Sequence, residues 1–257
     1  EEMRQRRKNS VFLYGISSFM AVVVLVIGIN LLNSYEKMKK FDKAKEAYLK
    51  SIELDPEAID TIYNLGLVYI ELKDYKNAID CFKKVIANDN KDSNSYFNLG
   101  LVYFKMKDYI KAIDYFQKTI DINDEDIYAH FYIGNIFKEL GDVESAKAEF
   151  NKVIKLSPDY SWAYYNIAVI DYEEGNTIEA IENLKKTIQL NPVDIEAYKV
   201  LTKILAKNNQ IEEANNTILQ AIENCPKTGD LYYIAAATYK LMDDIQDCIT
   251  YLNEAIK

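Results

Sequence analysis

Histidine, cysteine and glycine are scarce in this sequence, and their scarcity narrows the chemistry that the chain can perform. Its 257 residues include 1 histidine and 3 cysteines. Cys81, Cys225 and Cys248 are odd in number and show no paired spacing, and His130 lacks the further His or Cys ligands of a metal site. We therefore expect packing roles for Cys81, Cys248 and His130, and no bound metal.

The 8 glycines form no glycine-rich loop that could hold a phosphate group. No Ser or Cys nucleophile stands with a histidine base, and no pair of carboxylates is distinguished from a generally acidic surface. The sequence therefore predicts a protein that is not an enzyme, with no catalytic residues and no cofactor.

Acidic residues outnumber basic ones, and the excess lies in one part of the chain. The formal net charge is −9. Residues 1–40 hold seven Lys or Arg and three Asp or Glu, a net +4, which leaves −13 for the remainder. Because phosphate binding needs the opposite sign, we expect no nucleic-acid partner. The acidic charge favours a protein or peptide partner that is basic, and the aromatic residues described below favour one that is apolar or amphipathic.

A basic tail, residues 1–10, precedes a stretch without charge, Val11–Leu32. As a helix this stretch would be about 33 Å long, enough to cross a hydrocarbon core of about 30 Å. It predicts a transmembrane helix, which we expect to continue to about Met38 and to replace the first helix of an incomplete repeat. A cleavable signal peptide fits less well, because the apolar run is too long and no small-residue cleavage pattern follows it.

The orientation of this helix rests on the charges beside it. The basic tail favours a cytoplasmic N-terminus, whereas Lys37, Lys39 and Lys40 on the other flank oppose it. The tail weighs more, because long folded domains translocate largely regardless of charge. We therefore expect a single-pass protein of the cytoplasmic membrane, with its main domain outside the cytoplasm. The abundant Tyr, Ile, Asn and Lys have codons rich in A and T, which fits a bacterial genome rich in A and T.

A small residue recurs every 34 residues without drift, at Ala44, Ala78, Ala112, Ala146, Ala180, Ala214 and Cys248. Four residues after each stands a large apolar residue, namely Tyr48, Phe82, Phe116, Phe150, Leu184, Ile218 and Leu252. A fixed period of this length indicates stacked supersecondary units rather than one globular core.

The unit that begins at Ser93 shows why each repeat should be a helical hairpin. Its two halves carry apolar residues at spacings of three and four, which is the stripe of one helix face. A break at Lys107 and Asp108 separates the halves. Gly100 and Ala112 carry almost no side chain, as two closely crossing helices require.

The set Asn64-Leu65-Gly66, Tyr69, Ala78 and Phe82, which returns in the next units, resembles the tetratricopeptide repeat. The resemblance covers about Asp42 to Lys257. It implies an all-α, right-handed α-solenoid whose first helices line a concave groove. We expect a half unit at 41–58 and full units at 59–92, 93–126, 127–160, 161–194, 195–228 and 229–257.

The first helices supply the candidate binding residues. Aromatic residues recur at the fifth position of the first four full units and Asn at the sixth position of three of them, and three further aromatic residues exceed the pattern. We expect the partner-binding groove to contain Tyr63, Asn64, Phe97, Asn98, Tyr128, Phe131, Tyr132, Trp162, Tyr165 and Asn166. Aromatic rings with polar tips suit an apolar or amphipathic peptide. Packing is the alternative role for the fifth position, where this family commonly places Tyr.

Members of the family that clamp a terminal carboxylate use Asn at this sixth position with Lys or Arg nearby. Four residues before the asparagines stand Asp60, Asn94 and Trp162. We therefore expect no carboxylate clamp. In the fifth unit, Lys199, Lys203 and Lys207 form a basic stripe, which fits either an acidic partner or simple exposure to water.

These features favour a membrane-anchored scaffold that holds a protein partner during assembly of a bacterial envelope complex, such as envelope, flagellar or secretion machinery. The alternative is a ligand-sensing receptor with a closed pocket around Trp162. The last helix presents Ile249, Leu252 and Ile256, and this apolar face needs cover from further chain, a partner or a second copy. Self-association through the C-terminal helix is thus a further expectation.

Overall fold

The computed structural model describes residues 37–256, and every regular element in that range is an α-helix. The first, α1, occupies residues 37–54 of the described chain. It is followed by α2 (Ile59–Glu71), α3 (Tyr75–Asn88), α4 (Ser93–Lys105), α5 (Tyr109–Ile122), α6 (Ile127–Glu139), α7 (Val143–Leu156), α8 (Ser161–Glu173), α9 (Thr177–Leu190), α10 (Ile195–Lys207), α11 (Ile211–Asn224), α12 (Gly229–Leu241) and α13 (Ile245–Ala255).

The basic tail and the expected transmembrane helix, Val11–Leu32, lie outside the described residues. Among the helices of residues 37–256, none combines the length and the apolar character that crossing a membrane requires. Membrane attachment therefore stays a prediction from the sequence.

Helix α1 differs from the second helices of the later units. The register of the repeat places a hairpin turn at residues 38–40, one period before the turn at residues 72–74. The structure instead has continuous helix from residue 37 to residue 54. The helix that contains Met38 therefore does not end there. We use the word seam for the small residue and the large apolar residue that recur in each repeat; in α1 these are Ala44 and Tyr48, and both are only partly buried.

The turn inside each later hairpin repeats one backbone conformation. Its second residue has a positive φ in all six cases, at Lys73, Lys107, Gly141, Gly175, Asn209 and Asp243. The backbone N–H of the following residue reaches back to the preceding helix, as Asp74 N does to Tyr69 O at 2.8 Å. This closes the last turn of the first helix in the manner of a Schellman motif.

Aspartates then start the next helix. Asp74, Asp142 and Asp244 accept a hydrogen bond from the backbone N–H three residues later. The same cap begins the first helices after Asp92, Asp126 and Asp194. An Asp cap satisfies one otherwise unpaired N–H and is worth about 1 kcal/mol.

The predicted close crossing of the two helices is confirmed. The small seam residues Ala78, Ala112, Ala146, Ala180 and Ala214 are fully buried, and Cys248 is buried as well. A Cβ added to Gly66 would lie 2.9 Å from two ring carbons of Phe82, and one added to Gly134 would lie 2.8 Å from a ring carbon of Phe150. Small residues therefore occupy the points where a larger side chain would collide with the apolar residue of the opposite helix.

The chain divides after Asp108 into two compact units. In the first unit, α2 packs against α3 and α3 against α4. In the second unit, each helix from α5 to α12 packs against its successor. Such sequential stacking is typical of solenoid proteins. The first helices of neighbouring repeats also touch, α2 with α4 in one unit and α10 with α12 in the other.

Candidate functional site

Fifth-position aromatic residues pack onto the core of their own hairpins. The ring of Tyr63 meets Phe82 edge-on at 5.7 Å between centroids, and Phe131 meets Phe150 at the same distance. Tyr63, Phe97, Phe131 and Tyr165 are all partly buried. Part of each of these side chains is therefore buried, and the remainder is exposed to solvent.

The sixth-position asparagines differ from one another. Asn64 is exposed. Asn98 is buried, and its amide nitrogen donates to Tyr63 Oη at 3.0 Å and to the backbone oxygen of Asn94 at 2.8 Å. Both hydrogens of its amide group are thus donated within the protein, so Asn98 has no amide hydrogen left for a ligand.

Asn166 has a cationic neighbour that the sequence did not reveal. Its amide nitrogen donates to Trp162 O at 2.8 Å, and its side-chain oxygen accepts a hydrogen bond from the Lys138 ammonium group. The expectation that these asparagines lack a nearby cation is therefore wrong for Asn166. Lys138 belongs to the preceding repeat, so a search for Lys or Arg four residues before each Asn could not find it.

The Lys138 ammonium group is partly buried between α6 and α8. Desolvation lowers the pKa of Lys138, and the nearby carboxylates of Glu139 and Glu173 oppose this effect. Its hydrogen-bond acceptor is a neutral amide, so the positive charge is available to a carboxylate or carbonyl oxygen of a ligand.

We use the name aromatic surface for two neighbouring groups of contacting rings: Tyr128 and Phe131 of α6 with Tyr160, which precedes α8, and Trp162 with Tyr165 of α8. Tyr160 contacts Phe131 at 5.3 Å and Tyr128 at 6.1 Å between ring centroids, both edge-on. Trp162 contacts Tyr165 at 6.1 Å. Tyr128 is 54% exposed and Trp162 is 48% exposed. The aromatic surface is thus supported by edge-on contacts while its outer rings face solvent.

One residue of the predicted set, Tyr132, lies outside the aromatic surface, and one residue of the aromatic surface, Tyr160, was not in the predicted set. Tyr132 stacks on Phe116 at 5.4 Å between centroids and is partly buried, and burial raises its pKa. Tyr160, by contrast, joins the aromatic surface from the loop before α8, outside the first-helix positions that the repeat pattern highlights. Position in the repeat alone would not have identified it.

The histidine and the cysteines have structural surroundings. His130 Nδ1 lies 2.7 Å from Glu149 Oε2, and Lys152 donates to Glu149 Oε1 at 2.8 Å. Burial raises the pKa of the Cys81 thiol to about 11, which disfavours the reactive thiolate. Residues 37–256 contain no group of three or more His, Cys, Asp or Glu that could hold a metal ion.

Two surface cavities lie beside first helices of the repeats. One cavity, of 420 Å³, lies where the start of α2 meets the end of α3 and the loop before α4. It is lined by Ile59, Val85, Tyr63, the carboxylates of Asp60, Asp89 and Asp92, and the amides of Asn88 and Asn94. The cavity between α10 and α12 has a volume of 460 Å³ and is lined by Lys199, Lys203 and mostly apolar side chains. The basic stripe of the sequence therefore borders a cavity.

The apolar face of the last helix is exposed in part. Ile249 of α13 is 54% exposed, and Ile256, which follows it, is 83% exposed. The expected self-association through this helix stays a prediction.

Comparison with known proteins agrees with the repeat architecture. Two models described as the tetratricopeptide repeat match residues 58–125 and residues 29–57 and 163–194, and a model described as the TPR repeat matches residues 134–175. The match at 29–57 begins inside the stretch expected to span the membrane. No curated protein matches the chain.

Three solved structures illustrate the structural similarity. MamA is 28% identical, with 59% of this chain and 89% of MamA covered and a TM-score of 0.54. YrrB, described as a TPR protein with an unusual peptide-binding site, is 21% identical, with 68% of this chain and 90% of YrrB covered and a TM-score of 0.54. PilW, a widely conserved type IV pilus biogenesis factor, is 17% identical, with 77% and 92% covered and a TM-score of 0.59.

Proposed function

Because this chain is a tetratricopeptide repeat protein, we propose that it is a scaffold that binds a segment of a protein partner on the aromatic surface of α6 and α8. The observation that carries this proposal is the exposure of Trp162 and Tyr128 beside partly buried rings that hold them. Large rings with polar tips supply much of the binding energy at protein interfaces, at a low cost in side-chain entropy.

The polar neighbours of the aromatic surface support the same role. Lys138 and Asn166 lie beside Trp162 and offer an ammonium group next to an aromatic contact area. A partner segment would place an apolar side chain against Trp162 and an oxygen atom near Lys138. Such a segment would be amphipathic, in agreement with the partner expected from the aromatic residues of the sequence.

Attachment to a membrane through Val11–Leu32 is part of the proposal. It would hold the repeats at a bacterial cytoplasmic membrane, on the side away from the cytoplasm, where they would assist assembly of an envelope complex. The likeness in fold to PilW, a pilus biogenesis factor, and to YrrB, which has a peptide-binding site, supports a role in assembly and in peptide binding.

A ligand-sensing receptor is the competing function. It would need a closed pocket around Trp162, with the rings buried around a small molecule. The half-exposed side chains of Trp162 and Tyr128 favour an open surface instead.

Site-specific photocrosslinking in cells tests the proposed surface. The crosslinking amino acid p-benzoylphenylalanine replaces Trp162 in the full chain, and in a matched control it replaces Lys155, which is exposed on α7. We expect a discrete crosslinked partner from position 162 and none from position 155. The same bands from both positions, or no band from position 162, would contradict the proposal.

A further inference from the structure

Two repeat positions that line the cavity between α10 and α12 depart from the pattern. Where the first unit has Tyr63 at its fifth position and Asn98 at the sixth position of the next repeat, these helices have Lys199 and Ile234. Lys199 does not fill the space of an aromatic ring. Its ammonium group turns toward Glu196 Oε1 at 3.1 Å and Asp230 Oδ2 at 3.6 Å. A cavity of 460 Å³ remains between the two helices.

The floor and sides of this cavity are mostly apolar. Five of its ten lining residues are aliphatic, namely Val200, Ala206, Ile234, Ala237 and Leu241. Leu241 is 57% exposed, and Ala237 is exposed. The cavity is thus an open groove that a chain segment could enter from the side, rather than an enclosed space for a small molecule.

A hydroxyl group in the lining lacks a partner. Thr202 is 1% exposed, and its Oγ1 makes no hydrogen bond with the described residues. The neighbouring hydroxyl of Thr238 is satisfied, since it lies 2.8 Å from Asn215 Oδ1 and 2.8 Å from Ala235 O. A buried hydroxyl without a partner costs free energy, but this oxygen lies below the surface of the groove, so the polar contact of an occupant has to come from the rim.

The charge at the rim identifies the chemistry of the occupant. Lys199 is already paired with two carboxylates, but Lys203 is exposed and forms no ion pair within residues 37–256. Lys207, one turn further on, lies over the ring of Tyr172 at 5.7 Å. Glu196, which also lines the groove, is one of the two carboxylates that pair with Lys199, so Lys203 is the lining cation left to complement a carboxylate of an occupant.

We propose that the groove between α10 and α12 binds an acidic, amphipathic segment of a partner protein. An aliphatic or aromatic side chain of the segment occupies the cavity against Ile234 and Ala237, and an adjacent Asp or Glu carboxylate pairs with Lys203. This inference rests on the proposed scaffold function and gives the chemistry of one contact that the scaffold makes with its partner.

Selection of peptides from a phage-displayed random 12-residue library on the full chain tests this inference. The most enriched peptide is then synthesised with a fluorescein label, and its affinity is measured by fluorescence anisotropy. We expect enriched sequences with Asp or Glu next to a large apolar residue. Substitution Ala237→Trp, which fills the cavity from an exposed position, should weaken binding at least about thirtyfold, the effect of a central contact.

Charge reversal provides the second variant. Lys203→Glu should weaken binding at least about tenfold, because it places like charges together at the rim. Lys155→Glu makes the same charge change on α7, and Leu101→Trp adds the same ring at the corresponding position of α4, so both controls should leave affinity unchanged. Circular dichroism and thermal unfolding verify that each variant is folded.

The outcomes separate this inference from the proposed function. Peptides that keep their affinity for Ala237→Trp but lose it with Trp162→Ala would leave the scaffold function standing and overturn the acidic-segment site. Enrichment of basic or uncharged peptides that are insensitive to Lys203→Glu would also overturn it. A selection that yields no binding peptide would contradict both proposals.

Discussion

The groove between α2 and α4 and the groove between α10 and α12 are each formed by the first helices of neighbouring repeats, but they differ in chemistry. In the first, Tyr63 and Asn98 join the two helices through a hydrogen bond of 3.0 Å. In the second, Lys199 and Ile234 occupy those positions and line a mostly apolar cavity. Beside the first groove lies a cavity lined by Asp60, Asp89 and Asp92, whereas the second groove is itself a cavity with an apolar surface and, at its rim, Lys203, which is unpaired among the described residues.

The hairpins beneath the two grooves are nevertheless alike. Ala78 and Phe82 are fully buried in one, and Ala214 and Ile218 are fully buried in the other. The seam that holds each hairpin together therefore does not determine the groove above it. The fifth position contributes to packing in the first hairpin, but the seam residues are buried in both hairpins, so the surface can change while the seam is preserved.

The eighth position of the repeat gives the largest expected difference in stability between the two hairpins. Gly66 occupies it beneath the first groove and Thr202 beneath the second. Because a Cβ at Gly66 would lie 2.9 Å from the buried ring of Phe82, Gly66→Thr should lower the free energy of unfolding. We expect a loss of about 1–3 kcal/mol from overpacking, measured by urea denaturation.

The control for this variant is Thr202→Val, which keeps the shape of the side chain and removes its unpartnered hydroxyl. Its effect should be neutral or slightly stabilising, within about 0.5 kcal/mol. If Gly66→Thr proves as harmless as Thr202→Val, the two hairpins do not differ in the way that the structure indicates.

The second-largest change in the free energy of unfolding is expected from loss of the hydrogen bond that joins α2 to α4. Asn98→Leu removes the bonds to Tyr63 Oη and Asn94 O and leaves the tyrosine hydroxyl without this donor. The free energy of unfolding should fall by about 1–2 kcal/mol. Asn64→Leu, the same change at an exposed sixth position, should alter it by less than about 0.5 kcal/mol. Equal effects of the two substitutions would argue against a structural role for the Asn98 bond.

The smallest effect concerns the turns inside the two hairpins. Lys73 and Asn209 both have a left-handed backbone, with φ of 59° and 60°. A left-handed conformation costs most side chains about 1 kcal/mol or more, but Asn adopts it more readily. Lys73→Gly should therefore raise the free energy of unfolding by up to about 1 kcal/mol, and Asn209→Gly by only a few tenths. Thermal unfolding would compare them, and a larger gain at Asn209 would contradict this ranking.

The sequence predicted the hairpins and their seams because the constraint is strong and strictly periodic. A residue such as Ala112 or Ala146 lies where two helix axes approach closely, so only a small side chain fits. The same period placed the Pro and Asp residues between helices. Helix α1 departs from the period, because helix replaces the turn that later units have at this position. No residue among 38–40 indicates this replacement.

The binding surface was less predictable, because its contacts join residues from different repeats. Trp162 and Tyr128 were recognised as an excess over the pattern, but Tyr160 and Lys138 enter from a loop and from the preceding repeat. The basic stripe that includes Lys203 was visible in the sequence, whereas the cavity beside it depends on Ile234 and Ala237 of the next repeat. Pairing of neighbouring helices, which a single period does not specify, determines these contacts.

The most direct test exchanges the groove chemistry while the seams stay intact. The double substitution Lys199→Tyr and Ile234→Asn places the pair from the first groove between α10 and α12. If the fifth and sixth positions determine what a groove binds, the labelled acidic peptide should lose affinity for this variant at least about tenfold, as judged by fluorescence anisotropy. Undiminished affinity in a variant that folds normally would contradict this account.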